Sequence, residues 1–171
     1  VGKVNQSDSS FKQTLIKHGI DCQFLQCVEA PSGHAIIQVT PSGENAIVLF
    51  GGANQEIGNK EIMHALDKAR PSDWVLTQNE TSGLAETLQQ AKQKHIKVAF
   101  NPAPMSESVK SLPHECIDLL IVNEVEAAEL SGQQELDAII EHYKTQWSHA
   151  EVIITLGKAG VIMLKNQQTI Q

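Results

Sequence analysis

Asn123 stands three residues ahead of Glu126, just after an apolar run, and this spacing can serve two kinds of chemistry. As a helix start, the asparagine oxygen accepts from the first turn and the glutamate reaches back to the cap. As an anion site, the free N–H groups of a helix start face phosphate, and a carboxylate one turn in can hold Mg²⁺ through water. Thr155-Leu156-Gly157 followed by Lys158 and Gly160 also has two readings. It is either a glycine turn between two strands or a surface against which phosphate or ribose lies, with the Thr155 hydroxyl and the Lys158 cation to hand. Glu80 sits where a strand meets its loop, as a solvated acid or as an acceptor for paired sugar hydroxyls. Asn101-Pro102-Ala103-Pro104 fixes two φ angles at a strand exit and reads as architecture.

These residues share a position: each group follows a β-type run. From Trp74 the pattern alternates, with strands expected at Trp74–Thr77, Ile96–Phe100, Ile117–Val122 and Val152–Thr155, and helices at Leu84–Lys94, Glu124–Leu130 and Leu136–Trp147. Such βαβ units build a parallel sheet, and ligands of open α/β sheets bind beyond the carboxyl ends of the strands. Earlier in the chain, Phe11, Leu15 and Ile16 fit an amphipathic helix closed at Gly19. The runs Gln23–Val28, Ala35–Val39 and Ala46–Phe50, separated by Pro31-Ser32-Gly33 and Pro41-Ser42-Gly43-Glu44-Asn45, predict a small antiparallel sheet that must lie against something else, as a lid or a dimer contact.

Composition narrows the classes. With 171 residues, 41% of them hydrophobic, one globular domain is expected. A formal charge of −7 opposes a general grip on nucleic acid or anionic membrane, so a phosphorylated ligand would need local donors. Cys22, Cys27 and Cys116 are odd in number and lack metal-ligand spacing, which favours a reducing, cytoplasmic setting. No apolar stretch approaches the roughly 20 residues of a membrane span, and the chain opens with no basic-then-apolar leader. Walker, dinucleotide-binding, zincin and nucleophile-elbow motifs are all missing from the sequence. Both ends read as cut, at Val1 and shortly after the apolar run Val161–Leu164.

Taken in order, these segments resemble the ribokinase family of carbohydrate kinases over nearly the whole chain. The resemblance is carried by Val1-Gly2, Ser32-Gly33, Gly51-Gly52-Ala53-Asn54, Asn101-Pro102-Ala103-Pro104, Val122 to Gly132 and Ile153 to Val161. It implies an α/β fold, a doubly wound and mostly parallel sheet with helices on both faces, plus a small antiparallel β-sheet lid. Residues 1–21 would belong to the α/β domain, 22–52 to the lid, and 53–171 to a nucleotide- and sugar-binding domain truncated at both ends. The resemblance makes Asn123 a contact to the ATP phosphates and Glu126 a support for Mg²⁺ through water. Thr155, Gly157, Lys158 and Gly160 would line the nucleotide site, Glu80 would contact the sugar, and Ser32 would touch it from the lid. ATP and Mg²⁺ are the cofactors implied, with a homodimer through the lid.

The family's amino-terminal G-G-K-G-x-N-type segment and its carboxy-terminal G-A-G-D-type segment have no counterpart here. The latter supplies the base and the anion-stabilising N–H groups, so no catalytic residue is expected in this chain. Three functions follow: transfer of the γ-phosphoryl of MgATP to the primary hydroxyl of a pentose, ribose first; the same chemistry on a nucleoside or fructose; or a non-catalytic nucleotide-binding or dimerisation fragment.

Overall fold

A computed structural model of the protein describes residues 1–43 and 45–171; Glu44, within the expected turn 41–45, lies outside them. The chain divides into two compact units, residues 1–67 with 80–83, and residues 68–79 with 84–171.

In the first unit, β1 (Gly2–Asn5) leads into α1 (Ser9–Lys17) and then β2 (Leu25–Val28). Helix α1 ends as the glycine suggested: Gly19 takes a φ of +76°, and the Gly19 and Ile20 N–H groups return to the Ile16 and Leu15 carbonyls at 2.9 and 3.0 Å. The next strands, β3 (His34–Val39) and β4 (Asn45–Phe50), form an antiparallel hairpin in which His34 pairs with Phe50 and Val39 with Asn45. The expected three-run antiparallel sheet is therefore corrected at its first run, since β2 pairs in parallel with β1, Gly2 opposite Leu25 and Asn5 opposite Val28. The cause is local. Asn5 Nδ2 donates to the Glu29 and Ala30 carbonyls at 2.9 and 3.0 Å, holding the end of β2 beside β1, and Pro31 then removes a donor that a continuing strand would use. A helix the sequence reading did not foresee, α2 (Asn59–Leu66), buries Ile62 and Leu66 at i, i+4. With Val4, Ala53 and Ile57 these side chains form a small core.

The second unit holds β5 (Trp74–Gln78), α3 (Leu84–Gln93), β6 (Lys97–Asn101), β7 (Leu119–Asn123), α4 (Glu124–Ser131), α5 (Leu136–Gln146), β8 (Glu151–Thr155), β9 (Val161–Lys165) and β10 (Gln168–Ile170). Its six strands lie in the order β10-β9-β8-β7-β6-β5, with β5 to β8 parallel and the last two antiparallel. The expected α/β class, a mostly parallel sheet with a separate small antiparallel sheet, is thus present. Near-continuous β-branched and aliphatic runs suit strands covered on both faces. Val98, Phe100, Leu120, Val122, Val152 and Ile154 are buried, and Leu88 and Ala91 of α3 and Ile139 and Tyr143 of α5 pack in the same core.

The two proline positions behave as architecture. Asn79 receives this loop twice: its N–H donates to the Ala103 carbonyl at 3.0 Å and its Nδ2 to the Pro104 carbonyl at 2.7 Å. The carboxyl ends of β5, β6 and β7 are laced together beside it, because Gln78 Nε2 donates to Asn101 Oδ1 and Asn101 Nδ2 to the Ile121 carbonyl, both at 2.8 Å. No helix among the described residues is long and apolar enough to cross a membrane.

Candidate functional site

Asn123 ends β7 and Thr155 ends β8, and the ladder makes the two residues direct partners. Their loops therefore leave the sheet side by side. Asn123 caps α4 from an extended backbone (φ −88°, ψ 175°), its Oδ1 accepting the Glu126 N–H at 2.8 Å while Glu126 Oε2 accepts the Asn123 N–H at 2.9 Å. The capping reading is thus realised in full, and it leaves Asn123 Nδ2 and one Glu126 oxygen without a protein partner among the described residues. Asn123 is exposed and Glu126 half-buried.

The helix start is backed by α5. Tyr143 donates its hydroxyl to the Ala127 carbonyl at 3.2 Å, and burial, with a smaller contribution from the nearby Glu126 charge, pushes its phenol far above the usual range. That direction keeps Tyr143 a neutral donor, fixing the first turn of α4 against the core.

On the β8 side the loop closes on itself. The Leu156 N–H donates to the Gly160 carbonyl at 2.8 Å, and the Ala159 N–H to the Leu156 carbonyl at 3.0 Å. Gly157 lies at φ +54° and Gly160 at φ +102°, ψ −138°, the latter a conformation essentially closed to side chains. A Cβ at either position would meet nothing within 4 Å, so the backbone angles, and not crowding, require glycine. The exposed Lys158 rides on this turn and forms no ion pair among the described residues. Thr155 Oγ1 reaches the Val122 carbonyl at 3.4 Å, a weak contact. Asn123, Glu126, Thr155, Gly157, Lys158 and Gly160 thus form one continuous rim at the carboxyl ends of two adjacent parallel strands. A helix N-terminus, an outward amide, a cation and an open glycine backbone together can hold a polyphosphate.

The groups present fit magnesium only as a passenger of such a ligand. No three His, Cys, Asp or Glu among the described residues gather into a metal site. One free carboxylate oxygen on Glu126 suits a water-mediated contact to an ion carried mainly by phosphate oxygens, the usual mode for Mg²⁺.

Glu80 and Ser32 belong to the first unit. Glu80 is exposed, with its carbonyl held by Gln55 Nε2 at 2.9 Å. The Ser32 hydroxyl is largely spoken for: it accepts the Asn5 N–H at 2.8 Å and donates to Asp8 Oδ2. Ser32 lines a cleft of about 750 Å³ that Glu80 does not line. Asn5 and Asp8 were missed in the sequence reading; the polar run Asn5-Gln6-Ser7-Asp8 directly after a strand was the available signal.

A model of pfkB family carbohydrate kinases matches residues 1–171. A ribokinase of Haemophilus influenzae is 35% identical over 167 residues, covering 90% of this chain and 52% of that protein. The crystallographic neighbours include a ribokinase from Giardia lamblia, with a TM-score of 0.81 at 26% identity over 99% of this chain and 57% of that one. A ribokinase from Cryptococcus neoformans in complex with ADP gives a TM-score of 0.77 at 25% identity, over 98% of this chain and 58% of that one. The chain spans about half the length of the relatives it matches. On the match along its whole length, together with a sheet and strand-end rim of this form, the chain belongs to the pfkB family of carbohydrate kinases.

Proposed function

We propose that the protein serves as an ATP-dependent sugar kinase, passing the γ-phosphoryl of MgATP to the primary hydroxyl of a pentose, ribose first. The observation that carries this reading is the ladder pairing of Asn123 with Thr155, which sets a helix N-terminus beside a glycine turn bearing Lys158. Asn123 Nδ2 donates to the phosphates, Glu126 supports Mg²⁺ through water, and the turn from Thr155 through Gly157 and Lys158 to Gly160 backs the nucleotide. In the first unit Glu80 and Ser32 take the sugar, Ser32 with the one lone pair left to it.

Phosphoryl transfer draws nearly all its rate from positioning and charge stabilisation. Among the described residues no acid stands at a glycine-rich helix start, so the base is assigned to sequence beyond the chain, and residues 1–171 alone should hold nucleotide without turning over sugar. The hairpin β3–β4 fits a lid. Alternation places Ile36 and Val48 on one of its faces and Ile37, Val39, Ile47 and Leu49 on the other, all exposed. One face is then free to cover sugar and the other to meet a second copy of the chain.

The test compares ATP-dependent phosphorylation of ribose, fructose and adenosine by a protein spanning the full family length, and by residues 1–171. Ribose turnover by the former only is the expected result. Turnover of adenosine alone would sink the pentose assignment, and turnover by residues 1–171 would show that the base has been misplaced.

A further inference from the structure

Helix α5 turns one stripe to the core: Ile139, Tyr143 and, just past its end, Trp147, spaced i, i+4 and i+8 and all buried. The Tyr143 ring has aromatic neighbours on this stripe and beside it, the Trp147 ring 5.9 Å away at 57° and the His142 ring edge-on at 5.4 Å. Trp147 is in turn stacked on His114 at 4.8 Å. A phenol packed in this way keeps one rotamer, so its hydroxyl is delivered to one point, the Ala127 carbonyl, at 3.2 Å.

That point lies one residue beyond Glu126, at the close of the first turn of α4. Packing does little to hold this helix. Of its eight residues only Ala127 and Ser131 are buried, and both are small, so little apolar area is gained and no large side chain resists a slip or rotation. Apart from the Asn123 cap, the Tyr143 hydroxyl supplies the one hydrogen bond that reaches α4 from another helix or strand among the described residues. The Ala127 carbonyl also has its helical partner in the Ser131 N–H four residues on, so loss of the phenol would leave no buried carbonyl unpaired. For the stability of α4 the bond is a spare one. What it fixes is the place of the helix.

We propose that Tyr143 is a positioning residue for the nucleotide: from α5 it holds the start of α4, and with it the Asn123 amide and the Glu126 carboxylate, in register with the turn from Thr155 to Gly160. The inference rests on the nucleotide reading of this rim and adds to it a buried residue that no ligand touches. Hydrogen bonds to phosphate weaken steeply with misalignment, so a small displacement of α4 is felt at the triphosphate. Adenosine, which brings no phosphate to α4, is indifferent to it.

Calorimetric titration of residues 1–171 and of Tyr143→Phe with ATP and with adenosine tests this. The variant is expected to bind ATP about fivefold more weakly, the effect of one lost hydrogen bond, and adenosine as the wild type does. A merely structural tyrosine would move both ligands or neither. In an Asn123→Ala background the same change should cost much less ATP affinity, because both residues act through one helix start. Wild-type ATP affinity in Tyr143→Phe, equal losses for ATP and adenosine, or full additivity with Asn123→Ala would each overturn the proposal. ATP binding that Tyr143→Phe leaves unchanged sinks this inference alone, whereas a wild type that binds no ATP sinks the nucleotide reading and this inference with it. If the variant does not fold, wild-type hydrogen exchange decides: Glu126 and Ala127 amides as slow as those of α5 around Tyr143 support the clamp, and fast exchange there overturns it.

Discussion

The rim on β7 and β8 and the hairpin β3–β4 are both short strands with polar turns, yet they are stabilised in opposite ways. Below the rim, Val122, Val152 and Ile154 are buried, and Asn123, Glu126, Leu156, Ala159 and Gly160 are held by hydrogen bonds from within their own unit. No residue of the hairpin strands is buried, and Ile36, Ile37, Val39, Ile47, Val48 and Leu49 all stand open. The first rests on a buried core and on hydrogen bonds made locally. The second holds a row of apolar side chains that find no cover among the described residues, so the ~25 cal/mol per Å² that their burial would contribute is not realised there.

That contrast can be broken most forcefully in the second unit. Phe100→Ala beneath the rim should cost about 3–5 kcal/mol and be read directly in denaturant unfolding. An effect below about 1 kcal/mol would mean that the core under the rim is looser than its burial indicates. Next in size, Gly160→Val forces a side chain into a region reserved for glycine; about 1–3 kcal/mol and the nucleotide affinity should go together. Asn123→Ala should lose about 1 kcal/mol of cap energy and more nucleotide affinity than the cap accounts for. Calorimetric titration with ATP set beside thermal unfolding checks it. If affinity falls only in step with unfolding, the amide serves the helix alone.

In the first unit the expected effects are smaller. The Lys3 hydrogen bond holds the Glu61 carboxyl below its usual range. A folded-state value below the unfolded one supports stability above the ordinary carboxylate pKa and loses it as pH falls through the lowered value. The unfolding midpoint should therefore drop on acidification through about pH 4, and Lys3→Ala should flatten that dependence. Smallest of all, Ile37→Ser on the hairpin should change the stability of the isolated chain by no more than about 0.5 kcal/mol. Sedimentation should show the same variant shifting any dimer toward monomer. A large loss of stability instead would mean the hairpin is already packed.

Legibility in the sequence follows the same divide. Strands β5 to β8 and helices α3 to α5 announce themselves because apolar runs and 3.6-residue periods are long enough to be unambiguous, and strand ends then mark where ligands can sit. That Asn123 and Thr155 are neighbours is a matter of register, which two residues 32 positions apart cannot reveal. Helix α2 escaped because only Ile62 and Leu66 carry its period, and β10 because its turn, Asn166 and Gln167 at φ +50° and +64°, uses no glycine. The partner of β2 was hidden in Gly2-Lys3-Val4-Asn5, a strand with a single buried side chain. Asp8 went unremarked for a related reason, since its meaning depends on Ser32, 24 residues on, arriving at its carboxylate.

The reciprocal bonds between Asn123 and Glu126 also bear on entropy. Both side chains are pinned when α4 forms, so the rotamer freedom that a binding asparagine and glutamate would otherwise surrender on meeting a ligand has already been lost in folding. On the proposed reading, a nucleotide arriving at this rim would find an amide that needs no search, and its affinity would be correspondingly higher than the same contact from a mobile side chain would allow.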